Sequence, residues 1–277
     1  MSDELTPWRD FWLASELSPA TGPAFGERIN DAPPPSGLPG RFTYAAADHP
    51  LPRPSDALVG LQAARGSTRA FASGRLRPDE LGAVFSAFAD GAGRRRAWPS
   101  AGGLYPLEVF ALLLAVDHPL DGRAVHYEPD THGLTDIGPG PPWGDVQESV
   151  GGMALTGVPQ VVVLFVLDPA AMEGKYGNRG GRFALVEVGH AAQNLALRLA
   201  ASGLAGCELG GTYDRTVKRL LGLGDEPVLV ALGYACGRHL PDVAPKTMRK
   251  SQRFRRNFGR RGGDPQEGWG QSKSPAT

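Results

Sequence analysis

The spacing of apolar positions along the chain predicts strands and helices in alternation. Residues 107–116, LEVFALLLAV, and 159–168, PQVVVLFVLD, are short and almost continuously apolar. Both read as buried strands, being far too short to cross a bilayer. Residues 226–235, EPVLVALGYA, predict a third strand. Between 124 and 137, two short alternating runs flank Pro-Asp-Thr-His-Gly, which predicts a hairpin. Over 77–91 the spacing turns helical: Leu81, Val84, Phe85 and Phe88 share one face, acids occupy the first turn and Gly91 follows the end. Residues 182–203 form the longest helix candidate. It is alanine-rich, apolar on most sides and closed by Gly203, so it should be buried against another helix or a second subunit. A shorter helix is expected over 214–223.

Outside these segments the pattern loosens. Residues 1–55 read as an arm: 7–17, PWRDFWLASEL, can form a short amphipathic helix with Phe11, Trp12 and Leu17 available for docking, and 31–40, DAPPPSGLPG, is a Pro/Gly linker. Residues 56–240 carry the dense signals of one folded domain, and 241–277 form a polar, Gly-rich and basic tail expected to be mobile unless a partner orders it. The 277 residues are 41% hydrophobic and 21% charged, as in a soluble globular protein able to bury a core. The formal net charge is zero but unevenly placed. Eight bases and no acid lie between Lys246 and Arg261, leaving 21 bases against 29 acids elsewhere, an acidic body with a basic tail. One basic run in a neutral protein is weak support for nucleic-acid binding.

Cys207 and Cys236 are far apart and form no CxxC pattern, which excludes a disulfide framework or a zinc site of the usual spacing. The first residues, MSDELTPWRDFW, carry acids where a signal peptide needs bases, and no apolar segment is long enough for a membrane span; the expected location is the cytoplasm.

Nucleotide-binding signatures are missing. DGAGRRR offers Gly91 and Gly93 without a third glycine or a preceding strand, and no GxxxxGK[ST] occurs. ARGSTRAF is a different device. Arg65, Ser67 and Arg69 can gather two guanidiniums and a hydroxyl on a phosphate-sized anion, or they can be solvated residues at a helix end. Arg238, just past the last strand, is a possible third clamp. PSAGGLYP is either a tight turn or a segment where Ser100 and the amides of Ala101, Gly102 and Gly103 approach a planar heterocycle. Gly210 and Gly211 lie between a strand and a helix, with amides free for an acceptor atom. In MEGKYGNRGGRF, Lys175 and Tyr176 are adjacent titratable groups in a Gly-rich loop, an incidental surface pair or a proton-transfer pair. His126 and Glu128 share a strand face and can ligate a metal, but with His132 they read more simply as an exposed hairpin; no metal is expected. His190 reads as a packed, hydrogen-bonded histidine.

In this order the motifs resemble a known family. RGSTRAF resembles the Arg-Arg-Ser-x-Arg-x-Phe phosphate motif of the nitroreductase-like flavoproteins. PSAGGLYPLEVF, together with KYGNRGGRFALVEVGHAAQNLALRLAASGLAGCELGG, resembles the SagB-type azoline dehydrogenases, which oxidise thiazolines and oxazolines to thiazoles and oxazoles in peptide natural-product pathways. The resemblance covers about residues 56–238. It implies an α+β fold with a mixed, mostly antiparallel sheet flanked by helices, an obligate homodimer, and FMN at the dimer interface. It also implies that Arg65, Ser67 and Arg69 hold the FMN phosphate and ribityl chain with help from Arg238. Ser100, Gly102 and Gly103 would then contact the flavin from either subunit, Gly210 and Gly211 would face its N5/O4 edge, and Lys175 and Tyr176 would be the catalytic pair. The implied substrate is a peptide-borne or carrier-bound azoline, with a cyclodehydratase as a further partner. Gly66, in place of the common second arginine, and His239, where a proline often stands, depart from the pattern. Two alternatives remain open: an NAD(P)H-dependent reductase of nitro groups, quinones or enones on the same fold, and a non-catalytic scaffold subunit of a peptide-modifying complex.

Overall fold

A computed structural model describes residues 7–31, 51–52, 54–91, 95–149 and 155–240. The chain divides into two units, Met1–Val243 and Ala244–Thr277. The second unit, with the basic run, lies outside the described residues, as does the Pro/Gly segment 32–50.

The first unit is built around a six-stranded sheet. In chain order the elements are α1 (Pro7–Ser15), α2 (Gly22–Asp31), α3 (Ala57–Ala64), α4 (Pro78–Phe85), a two-residue ladder of β1 (Asp90–Gly91) and β2 (Arg95–Arg96), then β3 (Leu107–Leu113), β4 (Arg123–Glu128), β5 (Gly133–Pro139) and α5 (Trp143–Ser149). There follow β6 (Val161–Leu167), α6 (Pro169–Tyr176), α7 (Gly180–Ala201), β7 (Ala205–Leu209), α8 (Asp214–Leu220) and β8 (Leu229–Gly237). The sheet order is β5-β4-β3-β6-β8-β7. Every ladder in it is antiparallel; the parallel contacts are isolated bridges such as Ser67 with Gly206 and Leu76 with Val116.

All seven residues of β6 are buried, which explains why its sequence is apolar without alternation. Val161, Val163, Phe165 and Leu167 point into one core, shared with α4, α6 and α7, while Val162, Leu164 and Val166 point into a second core with Phe71, Val146, Val217 and Leu221. The result is three layers, helices on both faces of a central sheet. At the end of β6, the Asp168 carboxylate accepts from Ala170 N–H at 2.9 Å and Pro169 takes the first helical position, so the strand passes directly into α6.

Several elements differ from the sequence expectation for local reasons. The helix begun at Pro78 ends at Phe85, and Phe88 reaches the same core from a turn, stacked edge-on against Trp98 and Phe165. Lys175 and Tyr176 belong to the last turn of α6 and not to a loop; the chain leaves the helix at Gly177, whose φ is +51°. Helix α2 is an addition to the expected organisation, its apolar side being short, with Phe25 and Ile29 one turn apart.

The hairpin β4–β5 bears one ionic cluster. His126 Nε2 lies 2.8 Å from Glu108 Oε2 and its Nδ1 lies 2.9 Å from Glu128 Oε1, while His132 bonds the Tyr127 hydroxyl on the other face. Both imidazole nitrogens are thus taken by carboxylates. The hydrogen bond to Glu108 raises the His126 pKa against the opposing effect of burial. A raised histidine contributes stability that is complete below its unfolded value and lost as pH rises through the folded one. The loss of stability on His126→Phe, read from urea midpoints, is therefore expected to be larger at pH 6 than at pH 9. Equal losses would show that the cluster holds no charge-dependent energy.

Candidate functional site

The arginine motif lies along the outer edge of β7. Ser67 bridges Gly206, and Thr68 N–H donates to Gly206 O at 3.0 Å. Arg69 is near enough for its charge to act on Cys207, and Arg65 for its charge to act on Tyr234. Arg65, Ser67 and Arg69 are all exposed, and among the described residues neither guanidinium meets a carboxylate. The same strand leads to Gly210 and Gly211, about 13 Å from Gly206 at strand rise. Gly210 is exposed, and a Cβ built there would meet nothing within 4 Å, whereas Gly211 is buried. Free cations and a hydroxyl at one end of a strand, with an open glycine at the other, fit an elongated group that carries a phosphate.

Arg238 is disposed differently. Its backbone meets the same segment, with Ala72 N–H donating to Arg238 O at 2.8 Å, and its own N–H donates to buried Gln160 Oε1 at 2.8 Å. Its guanidinium, however, is bound to Glu80 Oε2 at 2.5 Å. Glu80 also accepts from Arg77 N–H, capping α4. In this arrangement Arg238 braces α4 and is not a free anion clamp.

The second cluster joins two segments more than seventy residues apart. Gly102 and Gly103 have φ of +62° and +68°, and Tyr105 has +48°, a left-handed value uncommon outside glycine. A Cβ built on Gly102 would stand 2.5 Å from both Lys175 Nζ and Tyr176 OH. The bare backbone at Gly102 is therefore the seat on which the Lys-Tyr pair rests. The Tyr176 ring meets Phe183 edge-on at 5.0 Å, which leaves its hydroxyl pointing to the turn, and Lys175 Nζ lies 5.5 Å from the Tyr176 ring centre. Tyr176 is half-buried and Lys175 exposed, so a titratable oxygen and nitrogen share one small accessible region. Ser100, on the same turn, accepts from Tyr105 N–H at 2.9 Å.

The N-terminal helices close a third side. Trp8 packs so closely on Gly181 that a Cβ there would meet its ring at 2.6 Å; Trp12 is buried; and Arg9 forms a two-bonded ion pair with Glu173, at 2.6 and 2.5 Å, one turn before Tyr176. Between this arm and the core lies a cavity of about 670 Å³, lined by Phe11, Leu17, Phe25, Leu185, Gly210 and Asp214 among others. Leu17 N–H donates to Asp214 Oδ2 at 3.3 Å. Burial pushes the Asp214 carboxyl up to about 6.

Some of these residues carry no motif. Glu173, Glu80, Gln160 and the buried Glu187 escape a reading by signature. For Glu187 one signal exists, an acid on the stripe of Ala184, Val188 and Ala191 that faces the core. His190 lies on the exposed face of α7, not packed inside the subunit as expected, because it falls on the Val186–Gly189 side of the helix.

Two outcomes follow from this geometry. Gly102→Ala is expected to destabilise by about 1–2 kcal/mol through its left-handed backbone alone, and to displace the Lys-Tyr pair; an unchanged melting temperature would refute the seat. Because Asp214 takes up its proton at higher pH when folded than when unfolded, stability rises as pH falls from about 7 toward 4. Hydrogen exchange in residues 7–31 should accordingly be slower at pH 5 than at pH 7.5 after correction for intrinsic rates. Asp214→Asn should remove the difference.

The sequence pattern of the nitroreductase family matches residues 63–237. A protein of Methanocaldococcus jannaschii named "Putative nitroreductase MJ1384" is 30% identical over 177 residues, covering 60% of this chain and 84% of that one. Among solved structures, a chain of the Escherichia coli microcin synthetase McbBCD complex with truncated pro-MccB17 bound superposes with a TM-score of 0.62 at 21% identity, covering 85% of this chain and 91% of that one. A nitroreductase-like protein of Ralstonia eutropha gives 0.57 at 22% identity, covering 69% and 88%. These likenesses agree with the antiparallel sheet and its flanking helices. The chain belongs to the nitroreductase family of flavin-dependent oxidoreductases.

Proposed function

We propose that the protein is an FMN-dependent dehydrogenase that oxidises peptide-borne thiazolines or oxazolines to the aromatic azoles. The observation that carries this reading is the convergence of Lys175 Nζ and Tyr176 OH on Gly102. Aromatising an azoline removes two electrons and two protons, so the site needs a group to receive a proton from one ring carbon. When bound, FMN supplies the two-electron acceptor for the hydride that leaves the neighbouring carbon. Lys175 and Tyr176 act together on the proton, one accepting it and the other holding the first in place. Arg65, Ser67 and Arg69 bind the phosphate with their free guanidiniums and hydroxyl, and the amides of Gly210 and Gly211 orient the polar edge of the ring. Ser100, Gly102 and Gly103 bring bare backbone to its face. Arg238 serves this region by holding the chain at Ala72 and Gln160.

A second copy of the chain completes the site. Helix α7 leaves Leu185 at 46% and Val186 at 55% exposure, with Gly189 and Gln193 on the same outward face. Exposed Leu185 and Val186 beside Gly189, with Arg182 and Gln193 among them, give a 22-residue helix a face of the kind a homodimer would cover. The solved complex of similar fold holds a truncated pro-peptide within a microcin synthetase. That likeness supports a peptide substrate here, and a cyclodehydratase as the partner that makes the azoline.

Purified protein, or protein reconstituted with FMN, is expected to show oxidised-flavin absorption and to convert a thiazoline peptide to the thiazole with a mass loss of two hydrogens. Lys175→Ala with Tyr176→Phe should retain FMN while turnover falls by a factor of about 10² or more. Steady NAD(P)H oxidation with quinones and no azoline turnover would replace this reading with a reductase. Protein unable to hold FMN would replace it with a scaffold.

A further inference from the structure

A carboxyl lies beneath the strained turn, and the mechanism above does not use it. Glu187, in the middle of α7, is 1% exposed. Its Oε1 accepts from Trp98 Nε1 at 2.9 Å, while Oε2 is buried with no hydrogen-bond partner among the described residues. Burial raises its pKa; the Ser100 hydroxyl, Trp98 N–H and the charges of Arg96 and His190 act on the same carboxyl in the opposite sense. Of these, Trp98 is the one in direct contact with it; Arg96 on β2 and His190 on α7 act through their charge. Its neighbours along the buried stripe, Ala184, Val188 and Ala191, are apolar. An acid there costs free energy that an apolar residue would not.

We propose that Glu187 is a positioning residue for the candidate site: it grips the turn at Trp98, so that Gly102 stays seated against Lys175 and Tyr176. Gly102 and Gly103 adopt positive φ freely, but Tyr105 does so with a side chain, and strain of this kind persists only where surrounding contacts over-determine the backbone. Trp98 is the anchor. It is 3% exposed, it stacks edge-on with both Phe88 and Tyr105, and its one polar atom is held by Glu187.

The test uses the full chain and has two readouts. The first is hydrogen exchange without added FMN. Glu187→Ala is expected to speed exchange of the 98–106 segment roughly tenfold, the effect of one lost buried hydrogen bond, while Val161–Leu167 is unchanged; Glu187→Gln, which still accepts from Trp98, should restore most of the protection. Equal exchange in Glu187→Ala and wild type would overturn the grip. The second is FMN affinity, from quenching of flavin fluorescence, which rests on the function proposed above. Glu187→Ala should weaken it by about threefold or more, the worth of one hydrogen bond, and Glu187→Gln should restore it. Unchanged affinity in Glu187→Ala would overturn the link between the grip and the site. If no version binds FMN, the flavin reading fails, while the exchange result still decides the grip.

Discussion

Strand β6 has no face turned to water, and the rest of the unit follows from that constraint. With seven buried side chains, each worth about 1.5–3 kcal/mol when removed from water, the strand requires an apolar layer above and below it and a paired strand on each side. β3 and β8 supply the pairing. Helices α4, α6 and α7 cover one face, and α5, α8 and the segment around Phe71 cover the other. Once β6 is central, β7 becomes a sheet edge. Its outer backbone groups are then open to the segment that follows α3, and Ser67 and Thr68 take that place. The arginine motif is thus delivered to a strand edge by a vacancy in the sheet.

The candidate site is held by contacts between elements that each have another structural duty. Helix α6 leaves β6 through an Asp-Pro cap and ends on Lys175 and Tyr176. Helix α7 starts four residues later, with glycines where Met172 and Trp8 press closest. From α7, Glu187 reaches Trp98, and the turn that follows Trp98 returns to the Lys-Tyr pair at Gly102. The loop of contacts closes on itself, so displacing any member moves the Lys-Tyr pair. Sites supported in this way are rigid because their side chains are locked by packing and by a second layer of hydrogen bonds.

The arm adds a wall to this arrangement. Arg9 ties α1 to the same helix that carries the Lys-Tyr pair, and Leu17 meets the start of α8 at Asp214. The cavity beneath the arm opens beside Gly210, so a segment that carries no recognisable motif borders the glycine pair.

Much of the fold was legible in sequence because its strongest signals are local. A run such as VVVLFVL can be satisfied only by burial, the 124–137 hairpin announces its turn, and the alanine-rich helix keeps its period over six turns. The candidate residues were legible as motifs in a fixed order, from Arg65 to Arg238. Their partners were not. That Gly102 seats Lys175 and Tyr176, that Arg238 is engaged by Glu80, and that Glu187 holds Trp98 are facts about residues between 73 and 158 positions apart, and residue types alone do not say which of many possible partners a buried polar group will meet. Period and turn chemistry act over a few residues and are written in the sequence. Close packing acts across the sheet, and only the tertiary structure decided which donor, acceptor or bare backbone each side chain would face.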